Sequence, residues 1–312
     1  MTPFSRFAAY FAEVARCGSL RKAAEKLHVS ASAINRQILQ AEESFGIALF
    51  ERLPGGMRMT TAGELLYSDL LNWQRDFSLT QQRFADIQGL KRGKVAIGLV
   101  QALTEGPLCG EIGSIAHGQQ WLDIELAVES SQVVSRMVRD AVVDFGLILD
   151  PGTVSGIEVI AFAELAMGIV VPPRHRLSDL PSVSLSELHD QRHIIPGKGL
   201  VVHDRVQSLY QRAGQPPASV ISCNDIRLIR SLVANGTGIS VLSRLDVMED
   251  LRLNRLCFIP IKHNPLRPVT LGLCTAPSRQ LSRAAQYMIQ RLSGIIEEMN
   301  STAAPDGLQH RW

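Results

Sequence analysis

The chain has 312 residues, of which 46% are hydrophobic and 20% are charged, and its formal net charge is +2. This length predicts two domains at about 150 residues per domain, and the hydrophobic share excludes a disordered protein. Because no apolar run reaches the ~18 residues of a membrane span and the first residues lack the apolar segment of a signal peptide, we expect no membrane partner and a cytoplasmic location.

Positive charge is concentrated near the start of the chain. Residues 1–60 contain eight Lys and Arg but only five Asp and Glu, an excess of three positive charges. This excess is larger than the net charge of the whole chain, which is +2. A mild basic bias is compatible with binding to nucleic acid but does not establish it.

The same segment carries the pattern of a helix-turn-helix. Apolar residues at helical spacing predict a first helix that ends at Cys17–Ser19 and a second, short helix over Leu20–Leu27. A tight connection follows at His28–Ser30, and either Ser30 or Ser32 caps a third helix. This arrangement is typical of DNA-binding domains, although the spacing alone fits a three-helix core without a DNA role equally well.

Several stretches of this segment follow one another in a specific order, and they are Ser19–Ser30, Ser32–Ile38, Gln40–Glu42, Phe45–Arg52 and Thr60–Glu64. In residues and in spacing they resemble the N-terminal domain of LysR-type transcriptional regulators. The resemblance implies a winged helix-turn-helix that binds double-stranded DNA.

Three positions depart from the usual residues of that family. Ala31 stands where Gln is common, Ala41 where Leu is common and Thr61 where Pro is common. Because Ala31 lacks an amide that reads bases, we expect the DNA sequence recognised to differ from that of close relatives. The other two changes are compatible with the fold.

The third helix is expected to enter the major groove with its N-terminal half. Asn can bond adenine, and Arg can bond guanine, through two hydrogen bonds each. A two-stranded wing is predicted after this helix, with its turn at Pro54–Gly56. By resemblance, the basic residues of the wing and the threonine after it touch the sugar-phosphate backbone, which positions the protein without reading sequence. The alternative for each side chain is plain exposure to solvent. The predicted DNA-binding residues are Ser30, Ser32, Asn35, Arg36, Arg52, Arg58 and Thr60.

A long helix is predicted to follow the wing, capped by Thr60 or Thr61. Large apolar residues recur along it in steps of four and three, with Thr80 as a polar interruption. Such a seam favours contact with a second copy, although a helix packed on its own domain is the alternative. The resemblance implies that these helices pair two winged domains in a homodimer, and that two dimers form a homotetramer. The predicted dimerisation residues are Leu66, Leu70, Trp73, Phe77, Phe84 and Ile87.

From Lys94 onward, short apolar runs alternate with helical stretches, which predicts an α/β domain with a mostly parallel sheet. The predicted strands are 95–100, 124–128, 145–149, 166–171, 193–196, 220–223, 239–242, 256–261 and 269–274. The resemblance sharpens this to a two-lobed, periplasmic-binding-protein-like (type 2) effector domain, with one lobe at 94–163 plus 268–299 and the other at 164–267.

The predicted fold class is therefore α/β overall, with an N-terminal all-α winged helix-turn-helix and linker helix before the two-lobed domain. The predicted boundaries are 1–60 for the DNA-binding domain, 61–90 for the linker helix, 91–299 for the effector domain and 300–312 for a disordered tail.

Ligands of open α/β sheets bind beyond the carboxyl ends of the strands. The segments that follow these ends lead into helix N-termini, which favour anions, and Lys198 adds a positive charge unless it is merely a solvated loop lysine. We therefore expect a small-molecule effector, an organic acid. The predicted effector-binding residues are Gln101, Ala102, Leu103, Thr104, Ser130, Ser131, Asp150, Pro196, Gly197, Lys198, Leu200, Val201, His203 and Asn224.

Enzyme motifs such as GxSxG, GxxxxGKS/T, HExxH and the dinucleotide fingerprint are absent from the sequence, so we expect no catalytic residues and no cofactor. The cysteines contain no CxxC pair and no strong metal constellation accompanies His189 and His193, so we expect no metal site. The alternatives are a thiol-based redox regulator of the same fold and a solute-binding protein. The main hypothesis is a DNA-binding regulator that responds to an effector, with RNA polymerase as a further partner.

Overall fold

The computed structural model describes residues 5–87, 93–213, 219–262, 266–277 and 279–303. The chain divides into two compact units. One comprises the residues up to Arg92 together with Asp140–Val142, and the other comprises Gly93–Arg139 and the residues from Val143 onward. Among the described residues, no helix is both long enough and apolar enough to cross a membrane.

The first unit is a winged helix-turn-helix followed by a long helix, as predicted. Its described elements are α1 (Arg6–Cys17), α2 (Leu20–Leu27), α3 (Ala31–Phe45), β1 (Phe50–Leu53), β2 (Gly56–Met59) and α4 (Thr61–Ile87). The wing strands β1 and β2 pair antiparallel.

Local capping fixes where these helices begin and end. Gly18 ends α1 in a left-handed conformation (φ +63°), and its N–H donates to the carbonyl of Val14. The Ser30 hydroxyl accepts the Ala33 N–H at 3.2 Å, so Ser30 rather than Ser32 caps α3. Helix α4 is capped in the same way by Thr60, whose hydroxyl accepts the N–H of the residue at position 63 at 3.1 Å, so the alternative cap at position 61 is wrong.

One carboxylate attaches the wing to the third helix. Oε1 of Glu42, in α3, accepts the backbone N–H groups of Leu49 and Phe50 at 2.7 and 3.0 Å. Leu49 and Phe50 are themselves buried in the core of the unit. The start of the wing is therefore held by both packing and charge-assisted hydrogen bonds.

The base of α4 packs on the same core. Leu70 is only 2% exposed, and Leu66 packs against the cluster that contains it. Burial of Leu70 within its own unit leaves it little surface for a second copy, whereas Leu66 is only partly buried. The buried members of this cluster are Phe7, Ala8, Phe11, Val14, Ala23, Ala24, Ile34, Ile38, Ala41, Leu49, Phe50 and Leu70.

The second unit alternates strands and helices. Its described elements are β3 (Gly93–Leu99), α5 (Pro107–Gly118), β4 (Leu122–Val128), α6 (Ser131–Arg139), β5 (Phe145–Leu149), β6 (Glu158–Leu165), β7 (Met167–Val171), β8 (Arg192–Pro196), α7 (His203–Ala213), β9 (Ser219–Cys223), α8 (Ile226–Ala234), β10 (Ser240–Ser243), α9 (Arg244–Arg252), β11 (Cys257–Pro260), β12 (Val269–Thr275) and α10 (Arg283–Ala303).

These strands form two lobes. The first lobe is built on a five-stranded sheet of order β4-β3-β5-β12-β6, on which α5, α6 and α10 pack. The second lobe contains the sheets β10-β7-β11 and β8-β9, which are connected by a bridge between His193 and Ile239, and it carries α7, α8 and α9. The first crossover follows Leu165, two residues later than predicted.

The prediction of a mostly parallel sheet is wrong in part. Strand β3 pairs parallel with β4 and β5, and β8 pairs parallel with β9. However, β12 pairs antiparallel with both β5 and β6, and β7 pairs antiparallel with both β10 and β11. The five-stranded sheet is mixed because β12, which returns from the other lobe, enters it in the opposite direction.

Strand β6 is absent from the predicted strands. Its inward residues include the small Ala161 and Ala163, whereas the outward Ile160 and Phe162 are large, apolar and exposed. This arrangement reverses the alternation of apolar and polar residues that identifies a half-buried strand.

The predicted start of a disordered tail at residue 300 is also wrong. Helix α10 continues to Ala303, and the side-chain oxygen of Asn300 accepts the N–H of Glu164 at 3.1 Å. This hydrogen bond connects the last turns of α10 to strand β6. Residues 304–312 lie outside the described part of the chain.

A buried histidine lies at the junction of strand, loop and helix in the second lobe. His193 Nε2 lies 2.9 Å from the carbonyl oxygen of Leu188, and Nδ1 lies 2.6 Å from the hydroxyl of Tyr210. A neutral ring that donates from Nε2 and accepts at Nδ1 satisfies both partners. Burial lowers the pKa of His193, although the Leu188 carbonyl opposes this shift.

We predict that Gly63→Ala destabilises the first unit by about 1–3 kcal/mol, the usual cost of overpacking. A Cβ at position 63 would lie 2.1 Å from the carbonyl oxygen of Leu49. Urea denaturation of the full chain measures this loss. Gly55→Ala is the matched control, since a Cβ there meets nothing within 4 Å. Equal stability of the two variants would contradict the prediction.

We predict that the melting temperature falls as pH is lowered below the ordinary His pKa of 6.5. In that range His193 binds a proton in the unfolded chain but stays neutral in the folded chain, where its pKa is lower. The loss grows until pH reaches the depressed pKa of the folded state. A pH series on His193→Gln should show a flatter dependence, whereas His117→Gln, at an exposed position, should behave as the unaltered protein does. Parallel curves for both variants would exclude this role.

Candidate DNA-binding surface and effector cavity

One side of α3 is exposed and available for contact with DNA. Ser32 and Arg36 are exposed, whereas Ile34 and Ile38 on the other side are buried in the core. Within the described residues, Arg36 has no side-chain hydrogen bond or ion pair. The third helix therefore presents a cationic side chain whose donors are all available.

A hydrogen bond joins this helix to the wing. The Asn35 side-chain oxygen accepts from Nη2 of Arg52 at 2.7 Å. Two predicted DNA-binding residues, one from α3 and one from β1, are thereby brought together. The Asn35 NH₂ group keeps both of its donors, while the guanidinium of Arg52 retains donors for a phosphate.

The remaining predicted DNA-binding residues have partners within the unit. Arg58 pairs with Glu51 across the wing at 2.6 Å, and Ser30 is the cap of α3. Thr60 donates to the carbonyl of Ala48 at 2.7 Å besides capping α4. The Thr60 hydroxyl thus has a structural role, whatever it contributes to DNA binding.

Beyond the core, α4 presents aromatic side chains on its surface. Trp73, Phe77 and Phe84 are 44%, 46% and 59% exposed. They are the part of the predicted seam that the unit does not bury. The side chain of Ile87 lies outside the described part of the chain.

A cavity of about 910 Å³ lies between the two lobes of the second unit. Strand ends and helix starts from both lobes line it, as predicted from the rule for α/β sheets. Of the predicted effector-binding residues, those that line it are Gln101, Ala102, Thr104, Ser130, Ser131, Lys198, Leu200, Val201, His203 and Asn224.

Four predicted effector-binding residues do not line this cavity. Leu103 is 3% exposed and belongs to the core, and Pro196 is buried with its carbonyl facing Nδ1 of His203 at 2.8 Å. Gly197 packs closely against the peptide bond between Cys223 and Asn224. A Cβ added at Gly197 would lie 3.2 Å from the backbone nitrogen of Asn224.

Asp150, the fourth of these residues, is engaged elsewhere. Its carboxylate pairs with both amino groups of Arg205 at 2.8 and 2.9 Å. It also accepts the N–H of Thr270 at 3.2 Å. Asp150 therefore joins the end of β5 to α7 and β12, and its carboxylate does not face the cavity.

Sequence reasoning missed four charged side chains, one before α5 and three in the first turns of α8 and α9. Glu105, Arg227, Arg230 and Asp246 all line the cavity. Arg227 and Arg230 lie in the first turns of α8, shortly after the predicted Asn224. Their place within about one turn of that strand end is the signal that could have identified them. Burial raises the pKa of the Asp246 carboxyl, although hydrogen bonds from Ser243 oppose the shift.

Charged side chains of both signs line the cavity. Lys198 and Arg227 on the second lobe are exposed and form no ion pair within the described residues. The first lobe contributes the carboxylates Glu105 and Glu129, and the second lobe contributes Asp204 and Asp246 beside its cations. An anionic ligand would therefore be held mainly by the second lobe.

Family models match both parts of the chain. Residues 6–64 match the bacterial regulatory helix-turn-helix protein, lysR family, and residues 88–294 match the LysR substrate binding domain. The uncharacterized HTH-type transcriptional regulator YwbI of Bacillus subtilis is 28% identical over 93% of this chain and 96% of its own. The HTH-type transcriptional regulator CfxR of Cupriavidus necator is 24% identical over 92% of this chain and 91% of its own.

Solved structures share the fold. A full-length OxyR variant from Pseudomonas aeruginosa aligns with a TM-score of 0.67 at 18% identity, over 100% of this chain and 99% of its own. The effector binding domain of QuiR in complex with shikimate aligns with a TM-score of 0.53 at 12% identity, over 66% of this chain and 98% of its own. At such identities these similarities concern the fold alone.

Proposed function

The chain belongs to the LysR family of transcriptional regulators, and from this premise we propose that it reads a pseudo-palindromic DNA site and responds to a small organic acid. As a LysR-type regulator it carries a DNA-binding domain and an effector-binding domain, and its relatives are regulators rather than enzymes. The DNA sequence, the effector and the assembly are the proposed parts.

The exposed side of α3 supports the proposal for DNA. Arg36 presents five donors suited to guanine, and Asn35 presents an amide beside it. Arg52 and Arg58 in the wing supply charge for the phosphate backbone. Two such units on paired α4 helices would address two half-sites, with Trp73, Phe77 and Phe84 as the contact between copies.

Two cations that line the cavity support the proposal for the effector. Lys198 and Arg227 are cations without ion-pair partners within the described residues, on a wall that also contains the apolar Leu200 and Val201. A carboxylate with a compact carbon body fits both features. Shikimate, which the QuiR effector domain binds in a structure of the same fold, is a compound of this class.

Three of the five cysteines offer little support for a thiol sensor. Burial raises the pKa of Cys274 to about 12 and also raises that of Cys257, and hydrogen bonding to Glu13 raises that of Cys17. A raised pKa disfavours the thiolate that redox chemistry needs. The fold shared with OxyR does not change this balance.

We predict that Arg36→Ala costs about 1–3 kcal/mol of binding to the preferred DNA and relaxes sequence preference. The preferred duplex would first be selected from a random pool, and fluorescence anisotropy would then compare it with a scrambled duplex. Arg21→Ala, at an exposed position of α2, is the control and should leave the preference intact. Equal, strongly salt-dependent affinity of the unaltered protein for both duplexes would contradict specific binding.

We predict that compounds which raise the melting temperature of the full chain are small carboxylates, shikimate being the first to test. Lys198→Ala and Arg227→Ala should each weaken such binding about tenfold, since a charge-assisted hydrogen bond is lost. Lys262→Ala is the control, because Lys262 pairs with Glu187 and does not line the cavity. Hits that are neutral or cationic, or unaffected by the cavity variants, would reject the organic-acid proposal.

A further inference from the structure

Arg230 connects the two lobes through two carboxylates of different character. Its Nε lies 2.5 Å from Oδ2 of Asp250, which belongs to α9 of the same lobe. Its Nη2 lies 2.8 Å from Oε2 of Glu105, which belongs to the first lobe and precedes α5. The guanidinium thus forms one ion pair within its lobe and one ion pair across the cavity.

The two carboxylates differ in burial. The side chain of Asp250 is 7% exposed and that of Arg230 is 14% exposed, whereas the side chain of Glu105 is 46% exposed. Burial opposes the charge on Arg230, but hydrogen bonds with Asp250 and Glu105 outweigh it and raise the pKa of Arg230. Asp250, which also lies 3.8 Å from Arg255, is a fixed counter-ion, because separating the two buried groups would leave the charge of Arg230 without its buried partner. Glu105 is replaceable, because water can solvate it once it leaves.

Arg230 and Glu105 both line the cavity, beside the cationic Lys198 and Arg227. An anion that enters would therefore meet a guanidinium already positioned by Asp250 and occupied only by an exposed carboxylate. Exchange of one carboxylate for another at Nη2 keeps the number of charge-assisted hydrogen bonds to Arg230 unchanged.

We propose that Arg230 is an anion-binding residue of the cavity and that Glu105 occupies it as an internal substitute until an effector carboxylate displaces it. This inference rests on the proposed response to an organic acid. Displacement breaks the ion pair that joins the first lobe to α8, so the same event that binds the effector releases one connection between the lobes. The effector would be a small carboxylate whose charged group reaches Arg230.

A second ion pair between the lobes is built differently. Arg205 pairs with Asp150 through both amino groups and also donates to the carbonyl of Pro268, beside the strand that returns to the first lobe. Neither Arg205 nor Asp150 lines the cavity. This connection therefore persists when an anion enters, and the release is confined to the side of Glu105.

Removal of the Glu105 charge tests the proposal without knowledge of the natural effector. Inorganic sulfate is the probe, titrated into the full chain at constant ionic strength against chloride, with the melting temperature as readout. Glu105→Gln should bind sulfate about two- to fivefold more tightly than the unaltered protein, the range expected when an exposed competing carboxylate is removed. General stabilisation by sulfate is the same for all variants and cancels in the comparison.

Glu129→Gln is the matched control, since Glu129 is an exposed carboxylate of the same cavity wall without an ion pair within the described residues. Its sulfate affinity should equal that of the unaltered protein. In Glu105→Gln combined with Arg230→Lys, the gain should disappear, because an ammonium that pairs with Asp250 ends one bond short of the position from which Nη2 reaches the cavity.

Equal sulfate affinity in Glu105→Gln and the unaltered protein would overturn the proposal. An equal gain in both glutamate variants would also overturn it, since the cause would then be the general charge of the cavity. Retention of the gain in the Arg230→Lys combination would assign the anion to another residue. None of these readouts involves DNA, so failure of this inference is distinguishable from failure of specific DNA binding, and binding of carboxylates through Lys198 and Arg227 is measured separately.

Discussion

The cavity between the lobes exists because the chain leaves the first lobe after β6 and returns to it as β12. That return places β12 between β5 and β6, antiparallel to both. The strand that leaves the first lobe, β6, and the strand that returns to it, β12, are therefore neighbours in one sheet. The second lobe is consequently attached at two points, and the strand ends of both lobes face a shared space of about 910 Å³. The mixed sheet and the cleft are two results of one constraint on the path of the chain.

The DNA-binding unit depends on local connections of a different kind. Glu42 holds the start of the wing, Thr60 ties the end of the wing to α4, and Arg52 bonds to Asn35. Each connection joins elements that are near in sequence, and together they determine where the side chains of α3 and the wing stand. Arg36 has no such connection in the described residues, so its guanidinium donors are available for DNA.

The same contrast explains what the sequence could predict. The helices of the first unit were predictable because caps such as Ser30 and Gly18 act within one turn, and the order of motifs identified the family. The mostly parallel sheet was wrong because strand direction depends on the crossover, which leaves no local signal. Strand β6 was missed because its buried side chains are smaller than its exposed ones. Among the predicted effector-binding residues, Asp150 was assigned to a ligand because its partner Arg205 lies 55 residues away along the chain.

The length of α4 has a consequence for how such a protein can vary. From Glu64 to Ile87 the helix contains neither glycine nor proline, so a residue inserted anywhere along it has no flexible joint to absorb the change. One inserted residue turns everything beyond it by about 100° and advances it by about 1.5 Å. Trp73 and Phe84 would then no longer share a face with each other if the insertion fell between them. Changes in the length of the helix therefore keep these side chains on one face only when they come close to whole turns, as insertions of about seven or eleven residues do.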